Sequence, residues 1–294
     1  MLDVRRLRLL RELALRGTIA AVADALAFSP SAVSQQLSAL EREAGVALLE
    51  RTGRSVVLTP AALGLVEHAE AVLERLARAE AELAEAREGL SGPVRIGAFP
   101  SATRTILPAA LRTLAGSGLT PMVFEVDPAN VGDALRAGEL DVALVHHYDF
   151  VPFPTEPGVA DEPLCTEDMY LASVDGIEEL AAGRDMPWIV ASPGTRCHAM
   201  TMRACAAAGF TPIVRHRIDE FDTVLAFVAA GEGVALVPEL GALRPPEGVR
   251  LSRAELRRRT RIAFRDGAGR HPAVRTAIEA LRGALPAGLQ STPD

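Results

Sequence analysis

Residues 18–63 read TIAAVADALAFSPSAVSQQLSALEREAGVALLERTGRSVVLTPAAL. Thr18 is placed as an N-cap for a short helix, IAAVADALAF, because its hydroxyl can accept from the free N–H groups of a first turn. Ser29-Pro30 repeats the signal for the next helix, SAVSQQLSALERE, with proline at the first helical position, where no N–H is needed. Two short helices across a tight break, the second amphipathic with a polar outer face, make a helix-turn-helix. Beyond Gly45, apolar stretches flank Thr52-Gly53-Arg54-Ser55, the pattern of a small β-hairpin wing with arginine near its tip. Upstream, residues 3–16 place Val4, Leu7, Leu10 and Leu13 on one helical face and stop at Gly17. Downstream, Pro60 opens a helical stretch to about Glu88. Ala62, Ala69, Leu76, Leu83 and Leu90 take one heptad position there, and Leu65, Val72, Ala79 and Ala86 the other. Some 29 residues span roughly 43 Å, which suits a dimerisation helix better than a core helix of one domain.

The rest of the chain changes character at residues 89–93, read as a linker. Strands and helices then alternate: PVRIGAF, ATRTILPAALRTLA, TPMVFEV, NVGDALRAG, ELDVALVHH. Such a βαβαβ order implies a mainly parallel sheet with helices on both faces. A proline-rich crossover, residues 149–163, leads to a second set: MYLASV, IEELAAG, PWIVA, TRCHAMTMRACAAAG, IVRHRI, FDTVLAFVAAG and GVALVP. RRTRIAFR and HPAVRTAIEALRGAL return to the first unit, and AGLQSTPD reads as a frayed tail. The expected fold class is α/β overall: a mainly α winged helix-turn-helix (1–59), a linker helix (60–89), then a two-lobed, solute-binding-protein-like α/β domain (93–286). Its first lobe takes about 93–161 and 260–286, and its second about 162–259.

The net charge of −7 is unfavourable for a nucleic-acid binder until it is divided. Residues 1–60 hold eight Arg against six Asp and Glu, while residues 61–294 hold 23 against 32. An acidic body repels DNA, so DNA contact falls to the N-terminal part. Every basic residue is arginine. No apolar run approaches the ~20 residues of a membrane span, and MLDVRRLRLLREL has no apolar signal-peptide region, so a cytoplasmic protein is expected. Cys165, Cys197 and Cys205 lack metal-type spacing and fit a reduced compartment.

These segments together resemble the LysR-type transcriptional regulators over essentially the whole chain. The motif residues are the Ala pair at 20–21, Leu26, Ser29, Ala32-Val33-Ser34, Leu40-Glu41, Gly45, Leu48-Leu49, Glu50-Arg51 and Leu58-Thr59-Pro60-Ala61. RIGAFPSATRTILP, AGELDVALV, SPGT and VAAGEGVALVP are similar to the family's sensing half. Two departures stand out. The family's Ser-Gln-Pro-Ala is Ser29-Pro30-Ser31-Ala32 here, so the proline sits one place earlier, the glutamine is absent and Ser31 is its substitute; and Ala62 stands where glycine is common.

The resemblance implies a sequence-specific DNA-binding transcription regulator, a homodimer or homotetramer, modulated by a small-molecule effector between the lobes. In that geometry Ser31, Ser34 and Gln35 on the third helix reach base edges, and the Gln35 amide can pair bidentately with adenine. Arg51, Arg54 and Thr59 are placed for phosphate or minor-groove contact. Helix N-termini after strands give Ser101 and Thr103 in one lobe and Thr195 in the other as effector contacts, with His146 and Asp222 at the cleft edges. Cys197 and Cys205 are similar to the cysteine pair of peroxide-sensing members. Eight residues apart on one helix, however, they lie roughly 12 Å apart, too far for a disulfide, and read as buried apolar side chains.

Metal is not expected, because His146, His147 and His198 lack further ligands at suitable spacing. No cofactor is expected, and no G-x-S-x-G, H-E-x-x-H or phosphate-cradling loop supports an enzyme. The rival readings are an architectural DNA-binding protein without a ligand, which predicts salt-limited binding of little sequence preference, and a cytoplasmic solute-binding protein.

Overall fold

The computed structural model describes residues 1–52, 55–86, 90–152 and 155–291. Its N-terminal unit is set by local signals. Helix α1 (Val4–Arg16) starts on the Asp3 carboxylate, which accepts from Arg5 N at 2.7 Å. It ends at Gly17, whose φ of 74° only glycine adopts without strain. Thr18 caps α2 (Ile19–Ala25), and Ser29 caps α3 (Pro30–Ala44), which stops at Gly45. The expected extension of α2 to Phe28 does not form, because Ala27 takes a left-handed φ of 54° to turn the chain into α3. Strands β1 (Leu49–Thr52) and β2 (Ser55–Leu58) pair antiparallel as the wing. Its base is pinned by Glu41, whose carboxylate accepts from Leu48 N and Leu49 N. Leu10, Val22, Leu37, Leu40 and Leu48 form the fully buried centre, each leucine contributing about 1.5–3 kcal/mol by burial.

Helix α4 (Pro60–Glu85) carries this unit to the rest of the chain; the residues beyond Ala86 to which it was expected to run lie outside those described. Ala62 and Ala69 are buried in the N-terminal core, and Ala77 and Ala81 are buried further along. Val72, Leu76 and Leu83, all expected heptad residues, are 38–68% exposed, so an apolar stripe faces away from the chain's own core.

The sensing half begins with β3 (Gly92–Ala98), α5 (Pro100–Thr105), α6 (Leu107–Leu114), β4 (Leu119–Glu125), α7 (Val131–Ala137) and β5 (Val142–Tyr148). One helix was expected where α5 and α6 stand. The break falls just before Pro108, whose ring and missing N–H are tolerated only in a first helical turn. The chain continues through β6 (Val159–Ser173), β7 (Pro187–Val190), α8 (Arg196–Ala207), β8 (Ile213–Arg217), α9 (Phe221–Ala229), β9 (Ala235–Pro238), β10 (Arg250–Arg265), α10 (Pro272–Arg282) and β11 (Gln290–Ser291).

The main sheet runs β11-β6-β10-β5-β3-β4, with β9 also paired to β6. It is mixed rather than mainly parallel: β3, β4 and β5 are parallel, while β10 runs antiparallel to both β5 and β6. Both crossovers are therefore long strands of 15 and 16 residues, β6 and β10, each shared by the two lobes. Only a 3₁₀ turn, Leu180–Gly183, forms in the segment expected as a helix at 177–183. The tail expected to fray instead pairs Gln290 and Ser291 with Thr166 and Cys165.

The N-terminal unit rests on the first lobe through charges. Arg16 Nη1 meets Asp133 Oδ2 at 2.8 Å, and Arg8 Nη2 donates to Arg136 O at 2.9 Å. Arg11 and Glu12 pair beneath them at 2.5 Å, both nearly inaccessible. Arg136 in turn pairs with Asp133 and, at 3.3 Å, with Glu156 on the crossover. Among the described residues no helix is long and apolar enough to cross a membrane.

Candidate functional sites

Helix α3 buries Val33, Leu37, Ala39 and Leu40 and turns Ser31, Gln35, Gln36, Ser38 and Arg42 outward. Ser34 is half-buried at the edge of that face. Gln36 is held by Arg6 Nε at 2.9 Å, and Ser31 shares a 3.0 Å hydroxyl contact with Ser29. The exposed, N-terminal, polar face of a rigid helix is the shape that enters a major groove. Thr59 stands differently from its expected phosphate role. It is 7% exposed, donates to Ala47 O at 2.9 Å and accepts from Ala62 N at 3.1 Å, so its hydroxyl is engaged in capping α4. Arg54 lies outside the described residues, and Arg51 is described only in its backbone, opposite Val56.

The second site is a cavity of about 290 Å³ between the lobes. Its walls come from the carboxyl ends of parallel strands and the starts of the helices that follow, the usual crevice of open α/β sheets. Ser101, His146 and Thr195 all border it. Thr103 does not: its hydroxyl turns back to donate to Phe99 O at 3.2 Å. Asp222 also lies off this cavity, in an ion pair with Arg104 that links α9 to α5 across the lobes, with Glu220 3.5 Å from the same guanidinium.

Beneath the cavity lies a group that sequence reading missed. Arg258, on β10, is 1% exposed; its Nε meets Glu167 Oε1 at 2.6 Å and its Nη2 donates to Ser101 Oγ at 3.1 Å. Its guanidinium carbon sits 4.9 Å from the centre of the Phe99 ring, a cation–π distance. Glu167 is completed by Leu240 N at 2.8 Å. Burial works against the charge on Arg258, but Glu167 and then Tyr148 outweigh it and raise its pKa. His146 stands edge-on to Phe99 and Tyr148, at 4.6 and 5.0 Å between ring centres. Burial, aided by Arg258 and Arg196, holds its pKa well below the ordinary histidine value, so the ring is neutral. Across the cavity Arg196 Nη1 donates to His146 O at 3.2 Å, tying the lobes together. Thr195 caps α8, accepting from His198 N at 3.1 Å and donating to Ser192 O at 2.8 Å.

The histidines and cysteines do other work. His198 Nδ1 lies 2.9 Å from Ala191 O, and among the described residues no group of three His, Cys, Asp or Glu is placed to hold a metal. Cys197 and Cys205 are free and share α8. Burial pushes their thiols up to about 11 and about 12, away from the reactive thiolate.

Comparison with known proteins identifies the two halves that carry these sites. Residues 4–63 match the bacterial regulatory helix-turn-helix model of the lysR family, and residues 87–286 match the LysR substrate binding domain model. The chain is 32% identical over 270 residues to a probable hydrogen peroxide-inducible genes activator of Mycobacterium avium, covering 86% of this chain and 85% of that one. It is 31% identical over 258 residues to the HTH-type transcriptional regulator TfdS of Cupriavidus pinatubonensis, covering 83% and 85%. Among solved structures, a cysteine mutant of Corynebacterium glutamicum OxyR superposes with a TM-score of 0.57 at 26% identity, over 97% of this chain and 92% of that one. The fold of CbnR is also shared, with a TM-score of 0.55 at 24% identity, over 96% of this chain and 100% of that one. With one family model on its capped, winged N-terminal unit and the other on its two-lobed half, the chain belongs to the LysR family of transcription regulators.

Proposed function

We propose that the chain is a cytoplasmic, non-enzymatic, homo-oligomeric regulator that reads an inverted-repeat promoter site through α3 and answers to a small molecule in the cleft. The observation that carries this is the pairing of an outward-facing Gln35 on a rigidly capped helix with a walled inter-lobe cavity in the same chain. Ser31, Ser34 and Gln35 lie on the groove-facing side of α3, and Ser101, Thr195 and His146 line the effector site. The exposed Val72, Leu76 and Leu83 give α4 an apolar seam for a second copy. Effector binding biases the angle between lobes, and through the first lobe the placing of the paired winged helices. The bordering β6–β10 ribbon and the Arg16–Asp133 contact connect those parts.

Peroxide sensing through a Cys197–Cys205 disulfide is not part of this reading, since both thiols lie on one helix with raised pKa values. The test is footprinting of the full chain on its own upstream DNA against a scrambled duplex, with Gln35→Ala alongside. A protected inverted repeat, lost at least tenfold in affinity on Gln35→Ala, is expected. Equal, salt-limited binding to both duplexes establishes the architectural alternative instead.

A further inference from the structure

The N-terminal unit has an arginine-rich first helix, yet the fold commits most of those charges internally. Arg6 is paired with Glu43 and donates to Gln36, and Arg8 donates to Arg136 O. Arg11 is paired with Glu12, and Arg16 with Glu12 and Asp133. The Arg5 side chain has no such partner among the described residues, but it borders the groove between α1 and the first lobe, beside Asp3, Asp24 and Glu139. Arg42, on α3, stands differently. Its setting in the sequence, Glu41-Arg42-Glu43, reads as a net negative helix end. The fold draws both glutamates away. Glu41 accepts from Leu48 N and Leu49 N at 3.0 and 3.1 Å, and Glu43, paired with Arg6, also accepts from Asp3 N at 3.1 Å. Arg42 is left exposed, with no hydrogen bond or ion pair from its side chain among the described residues.

Its place on the helix gives that charge a use. Arg42 lies two helical turns beyond Gln35, on the same outward face and about 10.5 Å further along the axis. A major groove is about 8.5 Å deep. With the N-terminal turns of α3 at the base edges, Arg42 is therefore level with the sugar–phosphate backbone. The same end of α3 carries the negative pole of the helix dipole, which opposes a phosphate unless a cation stands there. We infer that Arg42 is a phosphate contact that sets the depth of α3 in the groove, and that this one side chain, rather than the arginines of α1, gives the helix its electrostatic hold on DNA. This rests on α3 being the groove-reading helix. Such a contact positions the reader without carrying sequence information itself.

The experiment is fluorescence anisotropy of the full chain on its own upstream duplex and on a scrambled one, across about 50 to 300 mM salt. The native chain is compared with Arg42→Gln, Arg42→Lys and Arg5→Gln. Arg42→Gln is expected to weaken both duplexes alike, by at least about threefold at the low-salt end. The slope of log affinity against log salt should become shallower by about one for each α3 on the DNA. Arg42→Lys keeps the charge and should keep the native slope, and Arg5→Gln should leave it unchanged. A native slope in Arg42→Gln overturns the inference. So does a loss confined to the upstream duplex, which marks a base contact, or a slope in Arg42→Lys as shallow as in Arg42→Gln, which marks a change in packing. An equal change in Arg5→Gln overturns it too, by returning the hold to α1. The native chain separates the two levels. If it prefers the upstream duplex while the Arg42→Gln slope is unmoved, the phosphate contact fails and the reading of α3 stands. If it binds both duplexes equally and the slope still becomes shallower, the contact stands and sequence reading fails.

Discussion

Two networks of buried charge hold this molecule together, and they are built to different standards. Under the cleft, Arg258 and Glu167 are 1% and 0% exposed, and both are saturated: the arginine by Glu167 and Ser101, the glutamate also by Leu240 N. At the joint between α1 and the first lobe, Arg11 and Arg136 are just as deeply placed, yet the Nε of each is buried without a partner among the described residues. Glu12, paired with Arg11, is as buried as they are, but the other acids are looser. Asp133 is 46% and Glu156 34% exposed, and Glu70 lies 3.9 Å from Arg11, its pKa raised by burial. A saturated pair shielded from water resists rearrangement. A joint whose outer acids already touch water loses little when those pairs open, because the freed carboxylates are solvated at once. The cleft floor is thus the fixed part and the joint the part that can be reset.

Arg258→Ala should give the largest effect. It strands Glu167 in a site closed to water, and urea unfolding should show a loss of about 3–5 kcal/mol. A double change to Arg258→Met and Glu167→Leu should recover much of it; no recovery would mean that the hydrogen bonds to Ser101 and Leu240 matter more than the charge balance.

Acid should bring out a second difference. Burial, with smaller contributions from Arg196, Arg261 and Arg259 against Asp161, lowers His147 from 6.5 to about 4. Between those values the unfolded chain takes up a proton that the folded chain refuses. Stability from this group is therefore full above pH 6.5 and falls as the pH drops toward 4, by about 1–2 kcal/mol for a half-buried ring screened by solvent. His147→Gln should flatten that part of the profile, measured by urea midpoints from pH 7.5 to 4; an unchanged slope would assign the acid sensitivity elsewhere.

At the joint, Arg136→Ala should cost about 1–3 kcal/mol and speed proteolysis between α1 and the first lobe, leaving the cleft's own unfolding transition in place. Asp133→Ala should be smallest, about 1 kcal/mol or less, and should fade in high salt, whereas the Arg258→Ala loss should not.

How far each region could be read in the sequence follows from the range of its contacts. The winged unit was legible because its signals are local: Asp3, Thr18 and Ser29 cap helices within three residues, and Gly17 and Gly45 end them. The turns bearing Ser101 and Thr195 were legible as strand-to-helix junctions. Arg258 was not, since it meets Ser101 across 157 residues and only through the pairing of β10 with β5 and β6. Asp222 was drawn off the cleft by Arg104, and Thr59 was turned inward by Ala47 O, partners that no spacing rule indicates. The long strands were underestimated because their charged residues, among them Asp161, Asp168, Arg253 and Arg257, break the apolar pattern while pairing with one another or with neighbouring strands.

Strand β10 lies between β5 and β6 in the sheet, and that placement sets an order in time. During synthesis the winged unit has all of its residues once the first quarter of the chain has emerged. The first lobe then waits with a gap down its middle until residues 250–265 arrive, and α10 must follow to cover it. The DNA-reading part therefore matures well before the part that governs it, and any chain cut short before β10 would carry the reader with its sensor unfinished.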